Sequence, residues 1–173
     1  MATNKPTKRP QDFCFCTTDS HLIVNDVVET CKAYNYDGDL LWEVPCLARG
    51  QYSETTWNIT NSDTPPGLYR IGTIYRDYDV YGNSPDFNRT LMSFGWCSFD
   101  LVELENQERQ HGRAGIMIHG GGSGNGWPGA WAPRQKLLRT YGCVRMYNED
   151  LQKKVLPLTD KGTVYVSVYQ EAR

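Results

Sequence analysis

A histidine and a cysteine each follow a short run of small or apolar residues in the second half of the chain. His119 follows the apolar run 116–118 and precedes Gly120, and Cys143 directly follows Gly142. A thiol becomes a strong nucleophile once it loses its proton, and a neighbouring imidazole is a common base for that step. The residue types and their order therefore favour acyl transfer through a cysteine, with Cys143 as nucleophile and His119 as base.

The residues beside the cysteine have uses in such a reaction. Gly142 would let backbone N–H groups approach a substrate closely, as an oxyanion hole requires. Thr140 could exchange hydrogen bonds beside the nucleophile. Arg145 could hold a substrate carboxylate in a two-pronged ion pair. A surface ion pair of Arg145 with Glu149 or Asp150 is the alternative, and the sequence leaves both interpretations open.

Aromatic and glycine residues flank the same region. Trp127, Trp131 and Tyr141 could wall a groove for a sugar or a peptide, although Trp131 fits the core slightly better. The glycine-rich run 120–126 lacks the Gly-Lys-Ser/Thr ending of a phosphate-binding loop, so nucleotide binding is disfavoured. We interpret this run as a mobile loop over the site.

Bulk composition limits the partners of the protein. The 173 residues suit one domain, and a net charge of -2 gives no general attraction to nucleic acid. No stretch reaches the ~18 apolar residues of a membrane span, and no apolar core of a signal peptide precedes the domain. We predict a flexible or partly ordered segment over residues 1–20, in which the basic cluster 5–10 forms a disordered tail. Residues 21–173 form the predicted catalytic domain, which we expect to be a monomer.

Six cysteines leave the redox compartment open. The Cys14-Phe15-Cys16 run lacks the second spaced pair of a structural zinc site, so no metal is predicted. A disulfide among the cysteines other than Cys143 is an open alternative, and its pairing cannot be deduced from sequence.

The pattern of β-branched and aromatic residues predicts a mainly β protein. Predicted strands cover 27–34, 40–47, 68–75, 113–118 and 163–169, and residues 90–100 are expected to pair in a sheet. Asp37-Gly38 is a hairpin turn signal. Two short helices are predicted, one over 133–138 and one capped by Asn148, with Leu151 and Val155 on its buried stripe.

The two motifs resemble the signature of the L,D-transpeptidase catalytic domain, also called the YkuD domain. That family carries His-Gly after a strand, then Ser/Thr-His-Gly-Cys, an apolar residue and Arg or Asn, often continued by Met-x-Asn. Here the second part reads Thr140-Tyr141-Gly142-Cys143-Val144-Arg145-Met146-Tyr147-Asn148. The family's upstream Thr-Pro-x-Gly-x-aromatic-x-Ile pattern is present as Thr64-Pro65-Pro66-Gly67-Leu68-Tyr69-Arg70-Ile71. The resemblance covers roughly residues 22–169.

The resemblance implies a fold and a reaction. The fold would be a β-sandwich or barrel-like sheet with two or three short helices near the active site. His119, its tautomer fixed by the Gly120 carbonyl, would deprotonate Cys143, which would attack the third residue of a peptidoglycan stem tetrapeptide and release D-Ala. An amine of another stem, a D-amino acid or water would then resolve the acyl-enzyme, giving a 3-3 crosslink, exchange or hydrolysis. No metal or organic cofactor is implied.

One residue departs from the family pattern and keeps alternatives open. Tyr141 stands where the family usually has a second histidine. A non-catalytic peptidoglycan-binding module on the same fold is therefore one alternative, and a secreted antibacterial effector with L,D-carboxypeptidase activity is another. A sortase-like enzyme is disfavoured because its histidine lies much farther from its cysteine. The reaction implies the periplasm or cell wall, with non-classical secretion as a possible export route.

Overall fold

The structure, a computed structural model, describes residues 5–51, 57, 62–76, 92–122 and 128–170. Eight strands lie within these residues and form a closed barrel, which confirms the mainly β, barrel-like prediction. The strands are β1 (Ser20–Asn25), β2 (Thr30–Tyr34), β3 (Leu40–Leu47), β4 (Gly67–Tyr75), β5 (Ser98–Glu103), β6 (Met117–His119), β7 (Val144–Met146) and β8 (Val164–Tyr169). Their order around the barrel is β1-β2-β3-β7-β6-β5-β4-β8.

The barrel closes where β8 pairs in parallel with β1, and a second parallel pair joins β6 to β7. The other neighbours are antiparallel. Side chains alternate between the two faces of a strand. The inward positions supply the core, for example Leu22 and Val24 in β1 and Val164, Val166 and Val168 in β8. Outward positions of β6 and β7 are therefore available for polar and reactive residues.

The helices are short and lie outside the sheet. Helix α1 spans Gln107–His111, and single 3-10 turns span Pro10–Asp12 and Gly129–Trp131. After β7, one helical segment runs through Asn148–Asp150, a π-helical turn Leu151–Val155, and Leu156–Thr159. Leu151 and Val155 are fully buried, as the predicted stripe required. No helix among the described residues has the length and apolar character needed to cross a membrane.

Several element predictions are confirmed. Residues 40–47 form β3, 68–75 lie in β4, and 163–169 contain β8. The predicted turn joins β2 to β3, with Gly38 at a positive φ of 85°. The Gly38 N–H donates to the Asn35 carbonyl and closes the turn.

Other element predictions were wrong in extent. Val27 and Val28 lie in an exposed turn, and β2 begins only at Thr30, because a separate strand, β1, precedes that turn. The strand that delivers His119 is confined to Met117–His119. Residues 92–94 are helical and the paired strand starts at Ser98, while residues 90 and 91 lie outside the described residues.

The helix predicted over 133–138 is absent from this described stretch. The side chain of Gln135 instead donates to the Met146 carbonyl and accepts from the Asn148 N–H, both at 2.9 Å. These tertiary hydrogen bonds tie the segment to the end of β7. Local helix signals such as Pro133 are thereby overridden by the fold.

The N-terminal segment is attached to the barrel, contrary to the expectation of a disordered tail over 5–10. Glu105, which follows β5, accepts hydrogen bonds from the Thr7 N–H at 2.7 Å, the Thr7 hydroxyl at 2.9 Å and the Lys8 N–H. Its other oxygen accepts from the Leu68 N–H at 3.1 Å. A sequence pattern of Lys, Pro and Arg cannot reveal this link, since its acceptor lies far away in the chain.

Candidate active site

The parallel pairing of β6 and β7 brings the two sequence motifs together. Ile118 pairs with Val144 and His119 pairs with Arg145. Because Ile118 and Val144 are fully buried in the core, the residues on either side of them face outward. His119 and Cys143 therefore share the outer face of the barrel. Strand spacing and rise place their Cα atoms about 8 Å apart on the diagonal.

The tautomer of His119 is set by its neighbour. Its Nδ1 lies 2.8 Å from the Gly120 carbonyl oxygen, the contact that the family resemblance implied. Since a carbonyl only accepts, Nδ1 carries the proton and Nε2 keeps its lone pair. The edge of the Phe94 ring packs on the imidazole, with centroids 5.1 Å apart.

Burial and charge keep His119 neutral. The side chain is only 4% exposed. Burial, reinforced by the positive charge of Arg145, lowers the pKa of His119 to about 4, and the hydrogen bond to Gly120 opposes this shift. At neutral pH the imidazole can therefore accept a proton, as a general base must.

Cys143 is a protonated thiol at neutral pH. Burial raises the pKa of Cys143, while a backbone hydrogen bond from Met117 and the charges of Arg113 and Arg145 lower it. Its Sγ donates to the Gly115 carbonyl at 3.8 Å. Among the described residues no hydrogen bond joins Sγ to His119, so the thiol must rotate before a direct proton transfer.

Thr140 holds the backbone around the cysteine. Its hydroxyl donates to the Cys143 carbonyl at 2.8 Å and accepts from the Gly142 N–H at 3.0 Å. The predicted hydrogen bonds beside the nucleophile are therefore present. They also correct the role expected of Gly142, because its own N–H already has an acceptor and is not directed at a substrate.

Gly142 is needed for a different reason. Its φ is 113°, which side chains of L residues rarely tolerate. A Cβ atom there would overlap the Arg113 guanidinium. The Gly142 carbonyl accepts from the Thr64 hydroxyl at 2.9 Å, so the upstream Thr-Pro motif and the cysteine motif meet directly.

Arg145 is engaged with backbone carbonyls. Its Nε donates to the Gly120 carbonyl at 3.1 Å and its Nη1 to the Leu138 carbonyl at 2.8 Å. The side chain is buried. The alternative of a surface ion pair with Glu149 is wrong, since Glu149 pairs with Arg134 and Lys153. These contacts make Arg145 a residue that positions the His119 loop, and its contact with a substrate carboxylate stays a prediction.

Asn148 organises the loop after His119 and was missed as a site residue. It was expected to cap a helix, but the helix begins at Asn148 itself and Tyr147 occupies the cap position. Its Oδ1 accepts from the Gly121 N–H at 3.0 Å. Its Nδ2 donates to the carbonyls of Ala130 and Ala132. The Met-x-Asn continuation of the cysteine motif was the signal that could have found it.

Arg113 is the second site residue that sequence reasoning missed. Its Nη2 donates to the Tyr141 carbonyl at 3.2 Å, next to the cysteine. The signal was a basic residue at the head of the run that leads to His119, in a position that proves to be buried.

The aromatic residues divide between surface and core. Tyr141 is 66% exposed beside Cys143, so its ring is free to meet a ligand at the rim of the site. Trp131 is partly buried against Trp96, with ring centroids 5.7 Å apart. Trp127 and residues 123–126 of the glycine-rich run lie outside the described residues, so their predicted roles stay predictions.

The other cysteines and histidines supply no second centre of this kind. All six cysteines are free thiols, so the disulfide alternative is not realised in this structure. Cys14 and Cys16 are exposed, whereas Cys31, Cys46 and Cys97 are buried. The described part of the chain contains no group of three or more His, Cys, Asp or Glu side chains that could hold a metal ion.

A closed barrel that carries a cysteine beside a buried neutral histidine defines a thiol-dependent type of site. The family model of the L,D-transpeptidase catalytic domain, YkuD, matches residues 20–166. This chain therefore belongs to the YkuD family, and the suspected resemblance is confirmed. No curated protein is matched by the sequence.

Solved structures share the fold at low identity. Bd1075 of Bdellovibrio bacteriovorus is 13% identical with a TM-score of 0.56, over 99% of this chain and 53% of that one. The helical cell shape determining protein Pgp2 of Campylobacter jejuni is 19% identical with a TM-score of 0.57, over 89% and 48%. L,D-transpeptidase 1 of Mycobacterium tuberculosis is 11% identical with a TM-score of 0.42, over 86% and 61%. The chain thus spans about half the length of the first two proteins.

Proposed function

We propose that the protein is a cysteine L,D-transpeptidase that acts on peptidoglycan stem tetrapeptides. The observation that carries this proposal is the shared outer face of β6 and β7, on which the paired strands bring Cys143 next to His119. Family membership supports the choice of substrate class, since the family is named for this reaction.

In the first step Cys143 forms a thioester with the substrate. His119 Nε2 takes the thiol proton after Sγ rotates away from the Gly115 carbonyl, and Sγ attacks the carbonyl carbon of the third stem residue. The bond to the terminal D-Ala breaks, and the imidazolium returns the proton to the departing amine. The neutral state of His119 supports this order, because its pKa is about 4.

The developing oxyanion needs a hydrogen-bond donor near Cys143. The Gly142 N–H donates to Thr140, so we assign the Cys143 N–H to this role. Such a donor contributes about 3 kcal/mol to the transition state in other acyl transfers. The Thr140 clamp would keep this peptide group in place, because it holds both the N–H before Cys143 and the carbonyl of Cys143 itself.

The second step decides the biological product. An amine from another stem would give a 3-3 crosslink, a free D-amino acid would give exchange, and water would give L,D-carboxypeptidase activity. Tyr141 stands at the rim of the site, where an acceptor must enter. A role in the periplasm or cell wall follows from the substrate and forms part of the proposal.

The experiment is turnover of a disaccharide-tetrapeptide, with and without an added D-amino acid. We expect release of D-Ala by the wild-type protein and by Cys16→Ala, and none by Cys143→Ala. Cys16 is a matched control because it is also a free thiol and is exposed on the surface. Equal D-Ala release by Cys143→Ala would contradict the proposal. Peptide binding without turnover, in protein shown to be folded and reduced, would instead favour the non-catalytic module.

A further inference from the structure

Arg113 joins distant segments of the chain through a single buried cation. Its Nη1 donates to the Ser62 hydroxyl at 2.7 Å, to the Trp57 carbonyl at 3.2 Å and to the Asp63 carbonyl at 3.3 Å. Its Nη2 donates to the Tyr141 carbonyl at 3.2 Å. The side chain is 6% exposed, so these contacts are largely shielded from water. A buried fork of this kind fixes the geometry of the groups it bridges.

The fork acts on the backbone that carries the nucleophile. The guanidinium occupies the space that a side chain at position 142 would need. The peptide between Tyr141 and Gly142 is thus held by Arg113 at the Tyr141 carbonyl and by Thr140 at the Gly142 N–H. Cys143 follows this peptide directly, so the position of its Sγ depends on both contacts.

The charges around the thiol do not all act in one direction. The positive charges of Arg113 and Arg145 lower the pKa of Cys143, and the negative charge of Asp100 raises it. Asp100 lies on the same outer face, since it pairs with Met117 across β5 and β6. His119 on β6 is neutral and adds no charge above its pKa of about 4.

We propose that Arg113 is a positioning residue for Cys143, which fixes the Tyr141–Gly142 peptide and favours the thiolate through its charge. The proposal deepens the function given above and rests on it for turnover. Its electrostatic part concerns the thiol alone and needs no stem peptide.

The first test is the pH profile of alkylation by iodoacetamide, read at Cys143 in a Cys14→Ser, Cys16→Ser background. Arg113→Gln should move the midpoint upward by about half a pH unit and slow alkylation at pH 7 about threefold. Arg113→Lys should keep the wild-type midpoint because the charge remains. Asp100→Asn should move the midpoint downward. Arg134→Gln is the matched control, since Arg134 is an exposed partner of Glu149 and should leave the profile unchanged.

The second test separates position from charge through turnover. Arg113→Lys should lower kcat about tenfold with a smaller change in KM, because one ammonium cannot bridge Ser62 and Tyr141. Ser62→Ala removes one acceptor and keeps the cation, so it should lower kcat to a lesser degree. This milder variant decides the matter if Arg113→Gln does not fold.

Two results would overturn the proposal: an unchanged alkylation midpoint in folded Arg113→Gln, or wild-type kcat in both Arg113→Lys and Ser62→Ala. If no protein turns over the tetrapeptide but the midpoints shift as expected, the proposed substrate is wrong. The role of Arg113 at the thiol would still stand in that case.

Discussion

At the scale of single residues, the site depends on where protons and hydrogen bonds are held. Thr140 supplies both a donor and an acceptor to the backbone on either side of Cys143. His119 has its Nδ1 occupied by Gly120, which leaves Nε2 for the thiol. Neither side chain is exposed, so the chemistry of each is decided by its protein neighbours.

Replacing Thr140 by valine should weaken both stability and activity. The change keeps the shape but removes the hydroxyl, which leaves the Cys143 carbonyl and the Gly142 N–H without this partner. We expect a loss of about 2 kcal/mol in the free energy of unfolding, measured by urea denaturation, and a clear fall in kcat/KM. Thr140→Ser keeps the hydroxyl and is the control. Equal effects of serine and valine would show that the hydroxyl does not hold this peptide.

The pH dependence of stability should carry the signature of His119. Its pKa is about 4 in the folded protein against an ordinary value of 6.5, with burial as the main cause. Between these values the unfolded chain binds more protons, so the free energy of unfolding should fall as the pH drops from 6.5 towards 4. The contribution is about 3 kcal/mol and is complete above pH 6.5. His21, also lowered to about 4 by burial, adds to the same window.

His119→Gln isolates one of these two contributions. Urea denaturation at a series of pH values should give a shallower loss of stability for this variant than for the wild type. An identical slope in both proteins would show that His119 is already exposed to water and protonated in the folded state. The same protonation would remove the base, so turnover should decline on the acid side only as the pH approaches 4.

At the scale of elements, short strands and loops do the positioning. β6 and β7 contain three residues each, yet their parallel register puts His119 and Cys143 on one face. The loop after His119 then turns sharply against Asn148. A Cβ atom at Gly120 would overlap the Oδ1 of Asn148, which explains the glycine that follows the histidine.

Asn148 should be intolerant of a conservative change. Asn148→Asp keeps the acceptor for the Gly121 N–H but loses the donors to Ala130 and Ala132, and it turns a carboxylate towards two carbonyls. We expect it to lose at least as much stability as Asn148→Ala, about 2 kcal/mol, as measured by urea denaturation. Glu149→Gln, at the neighbouring partly exposed position, is the control. An aspartate variant as stable as the wild type would contradict this account of the loop.

The elements also show what sequence could and could not predict. β3 and β8 were predicted closely because their residues alternate or pair locally through a recognisable turn. The helix expected at 133–138 failed because Gln135 bonds to β7 and to Asn148 instead, a tertiary contact that no local pattern encodes. Similarly, His119 and Cys143 were found from motifs, whereas Arg113 and Asn148 act through distant partners and were missed.

At the scale of the whole molecule, the barrel unites segments from both ends of the described chain. β1 pairs with β8, and the N-terminal residues reach Glu105 on the far side of the sequence. The family match begins at residue 20, so the attached segment before it is an addition to the matched domain. The site lies on β6 and β7, whose barrel neighbours are β3 and β5.

Glu105→Ala should release the N-terminal segment without disturbing the reactive thiol. The variant removes the acceptor shared by the Thr7 and Lys8 amides, so these amides should lose protection in hydrogen exchange. The Cys143 alkylation rate should match that of the wild type, because Glu105 contacts Leu68 and the N-terminus and not the loop around Gly142. Unchanged protection at Thr7 and Lys8 would show that other contacts hold the segment.

The most direct test of the central claim is the mass of the protein after brief incubation with the tetrapeptide substrate. If Cys143 is the acyl-forming nucleophile, the intact mass should increase by the substrate less D-Ala, and peptide mapping should place the adduct on Cys143. Cys143→Ala should show no adduct, and Cys16→Ala should react as the wild type does. Release of D-Ala with the adduct on another residue, or with full activity in Cys143→Ala, would contradict the claim.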